Sequence, residues 1–182
     1  MYNKALVSAL KSGKLAVLRT DTLYGIVASA YDKEAVEKVY EAKARDKSKA
    51  CIVLIPKISA LDVFGVKLTR KQKKKTKEYW PGPVSLIFDV PRELEYLHRG
   101  NKSLAFRLPA KKDLKKLLKK TGPLIAPSAN IEGQPPAKNI EEAKKYFSDK
   151  IAVYVDEGQC DGAQASKVIR LNQDGTEENI RK

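Results

Sequence analysis

The chain has 182 residues, of which 42% are hydrophobic and 32% are charged. These proportions are typical of a globular protein, and the length predicts one domain spanning residues 1–182. No segment approaches the roughly 18 to 20 apolar residues that cross a bilayer, and the first residues lack the apolar core and cleavage site of a signal peptide. The sequence therefore predicts a soluble, cytoplasmic protein with no membrane partner.

Histidine and cysteine are too few for a familiar metal centre. The two cysteines, Cys51 and Cys160, are far apart, and His98 is the single histidine. Structural zinc and histidine-based metal catalysis are therefore nearly excluded, and no protein-bound metal is predicted. His98 lies in a polar stretch without catalytic neighbours, and we expect a surface residue.

The net charge of +14 indicates polyanionic ligands, either nucleotides or nucleic acid. Lysine outnumbers arginine 28 to 8, and much of the excess lies in two runs, residues 71–77 and 111–120. Both runs have helical patterning. In the second, Leu114, Leu117 and Leu118 share one face, so that most of its lysines face water. This pattern favours a solvated helix surface over a dedicated RNA-binding patch.

Strand and helix patterns alternate along the chain, which predicts an α/β fold with a mixed sheet flanked by helices. A helix is predicted first (3–10), then a buried strand (15–18), a polar loop (19–25) and a helix capped by Asp32 (to about residue 44). The other predicted strands are residues 51–55, 84–90, 103–108, 124–126, 151–155 and 166–171. The other predicted helices are residues 59–64, 69–79, 111–120 and 140–147. Pro81-Gly82-Pro83 predicts a rigid turn, and Trp80 beside it is expected in the core.

No standard phosphate-binding motif is present, because the chain has neither G-x-x-x-x-G-K-[ST] nor G-x-G-x-x-G. The candidates are polar loops at strand ends: residues 19–25, 43–49, 107–109, 127–130 and 156–166. Each is a weak signal alone. For Lys43 to Arg45, a helix C-terminus that favours cations is an equally good explanation.

In combination and order, however, these segments resemble the Sua5/YrdC/TsaC family of threonylcarbamoyl-AMP synthases. The family pattern P-T-D-T-x-Y-G corresponds to R-T-D-T-L-Y-G from Arg19, and K-x-R corresponds to Lys43-Ala44-Arg45. W-P-G-P begins at Trp80, R-x-P at Arg107 and A-P-S-A-N at Ala126, and a D-x-G loop from residue 156 leads to S-K-V at residues 166–168. The resemblance covers essentially the whole chain.

This resemblance implies a twisted mixed sheet with a concave, basic cavity. It also implies a reaction in which L-threonine, bicarbonate and ATP give threonylcarbamoyl-AMP and pyrophosphate, with Mg²⁺ carried by the nucleotide. Family members supply this intermediate to a downstream transferase that modifies adenosine 37 in tRNAs reading ANN codons.

The resemblance also implies roles for individual residues. Lys43 and Arg45 would act at the reaction centre. The expected ATP contacts are Arg45, Lys49, Ser103, Asn130 and Arg181, with Arg181 closing over the nucleotide from a poorly anchored tail. The expected threonine contacts are Thr22, Arg107, Ser128 and Ser166. For Tyr24, the cavity wall and the core are equally good predictions.

Departures from the family pattern occur at Arg19, Glu132 and Lys167, and Lys138 replaces a small hydroxyl residue near ATP. Because alternate residues of a strand face opposite sides, Lys167 is expected to point away from a cavity that Ser166 faces. Two alternatives remain: a double-stranded RNA or tRNA-binding module that uses the same basic cavity without catalysis, and a regulator that has lost its activity. The short hydroxyl and amide residues of the predicted site favour the enzyme.

Overall fold

The computed structural model describes residues 2–181, and within them nine strands hydrogen-bond into one sheet. The strands are β1 (Ala16–Arg19), β2 (Tyr24–Ser29), β3 (Val53–Leu54), β4 (Val84–Asp89), β5 (Ser103–Arg107), β6 (Leu124–Ile125), β7 (Val153–Tyr154), β8 (Lys167–Leu171) and β9 (Glu177–Arg181). Their order across the sheet is β7-β1-β2-β6-β3-β5-β4-β8-β9. Three neighbouring pairs of the described strands are parallel (β1 with β7, β3 with β5, β4 with β8), and the other five are antiparallel. The predicted mixed α/β sheet is confirmed.

Six α-helices cover the sheet within the described residues: α1 (Lys4–Lys11), α2 (Lys33–Lys43), α3 (Arg70–Tyr79), α4 (Glu95–His98), α5 (Lys112–Thr121) and α6 (Ile140–Phe147). Short 3-10 turns span Ile58–Phe64, Arg92–Leu94 and Ser148–Lys150. Side-chain caps fix several helix starts, because Asn3, Asp32 and Asn139 each accept a hydrogen bond from a backbone N–H of the first turn. No helix within residues 2–181 is both long and apolar enough to cross a membrane.

Strand β1 is buried on both faces, because its alternate residues enter two different hydrophobic clusters. Val17 packs into the larger cluster, which includes the apolar residues of α2 and α6. Leu18 packs into a smaller cluster with α1 and α5, to which Leu114, Leu117 and Leu118 contribute as predicted. The lysines of α5 consequently lie on its outer side. Trp80 is buried as expected and donates from Nε1 to the carbonyl of Val84 at 2.7 Å.

Two strands were not predicted. β2 follows directly on the polar T-D-T segment, and β9 has the largely polar sequence E-E-N-I-R, so neither presents an isolated apolar run. β9 pairs antiparallel with β8, which contradicts the expected poorly anchored tail: Arg181 lies within a paired strand. Lys182 lies outside the described residues.

His98 corrects a second expectation. It is buried, not on the surface, with 2% of its area exposed. Its Nδ1 accepts hydrogen bonds from the backbone N–H groups of Gly100 and Lys102. His98 therefore shapes the turn before β5, where the polar sequence had suggested an exposed position.

Candidate active site

A cavity of about 510 Å³ opens over the face of the sheet formed by β5, β4 and β8. Its wall contains the guanidinium-bearing side chains Arg45, Arg107, Arg170 and Arg181, together with the hydroxyl residues Thr20, Thr22, Ser103, Ser128 and Ser166. Within residues 2–181, neither an acidic residue nor a lysine lines it. Half of the eight arginines of this lysine-rich chain thus lie at one cavity.

Arg107 lies at the end of β5 and is 3% exposed. Its Nη2 lies 3.1 Å from Asp21 Oδ1 and 3.4 Å from Thr20 Oγ1. Its buried Nε, however, finds no hydrogen-bond partner among the described residues. Burial lowers the pKa of Arg107 and Asp21 opposes that shift. A buried, unpaired N–H on a guanidinium is a site suited to an incoming carboxylate.

The loop between β1 and β2 is held by Thr20. Its hydroxyl donates to the carbonyl of Leu23 at 2.8 Å and accepts from the backbone N–H of Thr22 at 3.1 Å, and the two threonine hydroxyl oxygens lie 3.0 Å apart. The Thr22 hydroxyl oxygen has lone pairs that can accept a hydrogen bond. Thr22 lines the cavity and so presents an acceptor to a ligand.

Ser128 lies opposite, on the segment that follows β6. The segment is laid against β2 by a bridge between Gly25 and Ser128. A Cβ on Gly25 would lie 3.2 Å from the carbonyl oxygen of Pro127, so only glycine allows this close approach without adjustment. Ser128 Oγ donates to Asn130 Oδ1 at 2.6 Å, and it too offers its lone pairs to the cavity.

Lys43 lies beneath this segment and is 1% exposed. Its Nζ donates to the carbonyls of Ser128 and Asn130 at 2.5 and 2.6 Å and to Asn130 Oδ1 at 3.3 Å. Burial lowers the pKa of Lys43 to about 8, and the charge of Arg45 contributes. These contacts make Lys43 a positioning residue for the segment, whereas its predicted role in the reaction stays a prediction.

Ala44 explains the K-x-R spacing. It caps α2 in the left-handed conformation, with φ of 47°, and so turns the chain between a buried Lys43 and a half-buried Arg45. Arg45 reaches the cavity wall and donates to the carbonyls of Lys49 and Ala50.

Lys49 and Asn130, both predicted ATP contacts, do not line the cavity. Lys49 is exposed, and its ammonium group pairs with one carboxylate oxygen of Glu132. The other carboxylate oxygen of Glu132 accepts a hydrogen bond from the backbone N–H of Asp46. Glu132 is one of the departures from the family pattern. Asn130 is engaged in hydrogen bonds within its own segment, donating to the carbonyls of Ile131 and Gln134.

Ser166 begins the segment that becomes β8. It is 2% exposed, and its Oγ lies 2.9 Å from Ser85 Oγ on β4. Lys167, the next residue, is exposed and does not line the cavity, as strand alternation predicts. Tyr24 is fully buried yet borders the cavity, and its hydroxyl donates to the carbonyl of Gly158. It is therefore both core and wall.

The other departures lie away from the wall. Lys138 is exposed, and Arg19 donates to the carbonyl of Gln159. Sequence reasoning assigned no site role to three polar residues of the wall, Thr20, Asn101 and Arg170. The signal for Arg170 was available, because it shares the alternation of Ser166 and Val168 along one strand.

No group of three or more His, Cys, Asp or Glu side chains within the described part of the chain could hold a metal ion. The cavity wall likewise has no carboxylate there. The residues present therefore do not offer the oxygen ligands that a protein-bound Mg²⁺ requires.

The family model for Sua5, YciO and YrdC proteins, described as telomere recombination, matches residues 8–182. The chain belongs to this family. A putative threonylcarbamoyl-AMP synthase of Mycobacterium tuberculosis is 31% identical over 166 residues, covering 91% of this chain and 76% of that protein. The threonylcarbamoyl-AMP synthase of Pyrococcus abyssi is 32% identical, covering 90% of this chain and 49% of that protein. The chain thus spans about half the length of the Pyrococcus relative.

Solved structures show the same fold. Pyrococcus abyssi Sua5 in complex with L-threonine superimposes with a TM-score of 0.84 at 30% identity, over 91% of this chain and 49% of that one. Escherichia coli YciO gives a TM-score of 0.84 at 21% identity, over 97% of this chain and 86% of that one. The second likeness shows the fold alone, and both structures confirm the α/β architecture.

Proposed function

We propose that the protein is an L-threonylcarbamoyladenylate synthase, which converts L-threonine, bicarbonate and ATP to threonylcarbamoyl-AMP and pyrophosphate. The relatives that carry this name support the activity. The observation that carries it in this chain is buried Arg107, whose side chain lines one cavity with Thr22 and Ser128 and whose Nε has no hydrogen-bond partner among the described residues.

This arrangement fits a free amino acid. The guanidinium of Arg107 suits an α-carboxylate, and the Thr22 and Ser128 oxygens suit groups that donate, which are the amino group and the hydroxyl of threonine. Ser166, a further predicted threonine contact, borders the same space. The pattern of donors and acceptors therefore matches the substrate that the family resemblance implies.

The reaction brings several anions together, so fixed positive charge is the main requirement. The deprotonated amine of threonine attacks the carbon of bicarbonate to give a carbamate, and the displaced hydroxide leaves as water with the proton that the amine loses. A carbamate oxygen then attacks the α-phosphate of ATP, and pyrophosphate leaves. Arg45, Arg181 and Ser103 would hold the nucleotide from the cavity wall. Lys49 and Asn130, which lie outside the described wall, would complete the ATP contacts, and positioning would supply most of the catalysis.

Mg²⁺ would enter with the nucleotide, bound to its phosphates, because the described wall offers no carboxylate ligand. We further propose that the product passes to a downstream tRNA threonylcarbamoyl transferase for modification of adenosine 37. One domain over residues 1–182 and a cytoplasmic location stay predictions.

The alternative of an RNA-binding module draws no support from the cavity. Double-stranded RNA is contacted mainly through its phosphates and 2′-hydroxyls, yet the lysine runs lie on α3 and α5, away from the described wall. Neutral acceptors such as Thr22 would not favour a phosphate backbone.

Incubation of the protein with ATP, threonine and labelled bicarbonate tests the proposal. We expect pyrophosphate release that requires both co-substrates, and a labelled adenylate product. Release of pyrophosphate without threonine, or none under any condition, would contradict the assignment.

A further inference from the structure

Arg170 is an arginine of the described cavity wall that the proposed reaction leaves without a role. It lies on β8, on the same side as Val168 and Ser166, and is opposite Ile87 of β4. Ile87 is in turn opposite Ala105 of β5. Arg170 therefore belongs to the floor of the cavity.

Arg170, Ile87 and Ala105 form one row of paired residues across β8, β4 and β5, and Arg107 lies in the next row on the same face of the sheet. Arg107 is two residues beyond Ala105 on β5, a step of about 7 Å along the strand. The two arginines thus present positive charge on neighbouring rows of the same floor. A carboxylate at Arg107 leaves space for a second anionic group next to it.

The contacts of Arg170 are readily exchanged. Its Nη1 lies 3.1 Å from Asp89 Oδ1, but the Asp89 side chain is 74% exposed and that of Arg170 is 32% exposed. Ion pairs this close to water contribute little to stability. An anion bound in the cavity can therefore replace Asp89 as the partner of the guanidinium.

The second contact of Arg170 determines whether the Ser103 hydroxyl donates or accepts. Arg170 Nη2 donates to Ser103 Oγ at 3.1 Å, so the hydroxyl is an acceptor there and keeps its own proton for another partner. Arg170 and Ser103 together form a pair of donors at a wall with no carboxylate among the described residues. Such a pair recognises an oxyanion.

We propose that Arg170 binds a phosphate group of the nucleotide, with Ser103 as the second donor and Asp89 as the partner that the phosphate displaces. The inference rests on the proposed function for the identity of the ligand. Phosphate is favoured over a second carboxylate because ATP and pyrophosphate are the ligands of this reaction that carry several oxyanions.

Titration calorimetry with pyrophosphate and with ATP tests this assignment directly, without turnover. Arg170→Met removes the charge and keeps much of the side-chain length, and we expect it to weaken both ligands by about tenfold to a hundredfold. Threonine affinity should stay within about twofold. Arg170→Lys should recover part of the loss, since it restores a cation without the planar fork.

Asp89→Asn is the matched control, because it removes the same ion pair and leaves the arginine. If Arg170 binds phosphate, this variant should bind pyrophosphate as well as the wild type or more tightly. If Arg170 only joins β8 to β4, both variants should weaken binding alike, and that result would overturn the inference. So would unchanged pyrophosphate and ATP affinity in a folded Arg170→Met protein.

The two proposals can fail separately. A wild-type protein that binds pyrophosphate through Arg170 but forms no threonylcarbamoyl-AMP would refute the synthase and keep the phosphate site. If Arg170→Met forms the product at the wild-type rate and with wild-type ATP affinity, the synthase proposal is kept and the phosphate site at Arg170 is refuted.

Discussion

Arg181 holds Ser166 through its guanidinium: Nη2 and Nε lie 2.7 and 3.0 Å from the Ser166 carbonyl oxygen, and Nη2 lies 3.2 Å from Ser166 Oγ. A residue predicted to contact ATP thus supports one predicted to contact threonine. The last described strand therefore couples the two expected ends of the site.

This coupling changes what removal of residues 181–182 should do. The sequence alone predicts a higher ATP requirement with intact threonine binding. Because Arg181 supports Ser166, we now expect threonine affinity to fall as well, by about threefold or more. Calorimetric titration of both ligands measures it. Deletion of residue 182 alone is the control, and wild-type threonine affinity after loss of both residues would show that Ser166 needs no support.

Arg107→Ala should weaken threonine binding more than ATP binding, by about tenfold or more, because the carboxylate loses its charged partner. The same change leaves Asp21 buried without its cation, so stability should fall too. Arg107→Lys keeps a charge beside Asp21 and separates the two effects. Equal losses for both ligands in the Arg107 variants would remove Arg107 from the threonine site.

Arg45→Ala should show the opposite preference, with ATP binding weakened more than threonine binding.

Thr22 predicts a strong preference for threonine over 2-aminobutyrate. Its oxygen can accept from a substrate hydroxyl, and a site built for a hydroxyl strongly disfavours an analogue that lacks one. Pyrophosphate release measured with each amino acid, and with Thr22→Val, tests the assignment. Equal kcat/KM for the two amino acids would mean that the substrate hydroxyl is not recognised.

Glu132→Gln should strengthen ATP binding by about twofold to fivefold at low ionic strength, because it releases Lys49 from its carboxylate while an amide oxygen can still accept from Asp46 N–H. The gain should fade as salt screens the exposed charges. Affinity measured at several salt concentrations checks it. A loss of ATP affinity at low salt would indicate that the ion pair holds Lys49 in its working position.

Lys43→Met should lower the free energy of unfolding by about 1–3 kcal/mol, since the buried oxygens of residues 128–130 lose their donor. The pKa of Lys43 is about 8 when folded, below its unfolded value of about 10.4. Between these two pH values the unfolded state therefore binds more protons than the folded state. The free energy of unfolding of the wild type should consequently rise relative to that of the variant as the pH increases from 8 to 10. Urea unfolding at each pH measures this, and a gap that narrows with pH would contradict it.

The elements that sequence predicted best are those whose pattern is local. Leu114, Leu117 and Leu118 repeat at helical spacing, and their burial followed directly. β9 could not be found in this way, because its stability comes from pairing with β8 across the 172–176 turn and its side chains are exposed. His98 was misassigned for a related reason: its burial depends on backbone donors of a turn, which composition does not reveal.

In the candidate site, too, the sequence predicted the features that depend on local motifs and not those that depend on the folded chain. Ordered motifs identified Thr22, Arg107 and Ser128 as neighbours, and the structure places all three at one cavity. The motifs could not show that Lys43 points into the protein, because that depends on the left-handed turn at Ala44. Arg170 lay outside the motifs considered, although strand alternation would have included it.

The position of Arg181 in the sheet also bears on how the protein is made. The cavity wall draws on residues from Thr20 to Arg181, and the sheet edge at β8 closes only when β9 pairs with it. A chain emerging from the ribosome folds from its N-terminus and can bury much of its core early. The wall is complete only when residue 181 has left the exit tunnel and β9 has paired with β8, so we expect ligand binding to begin only after β9 has emerged.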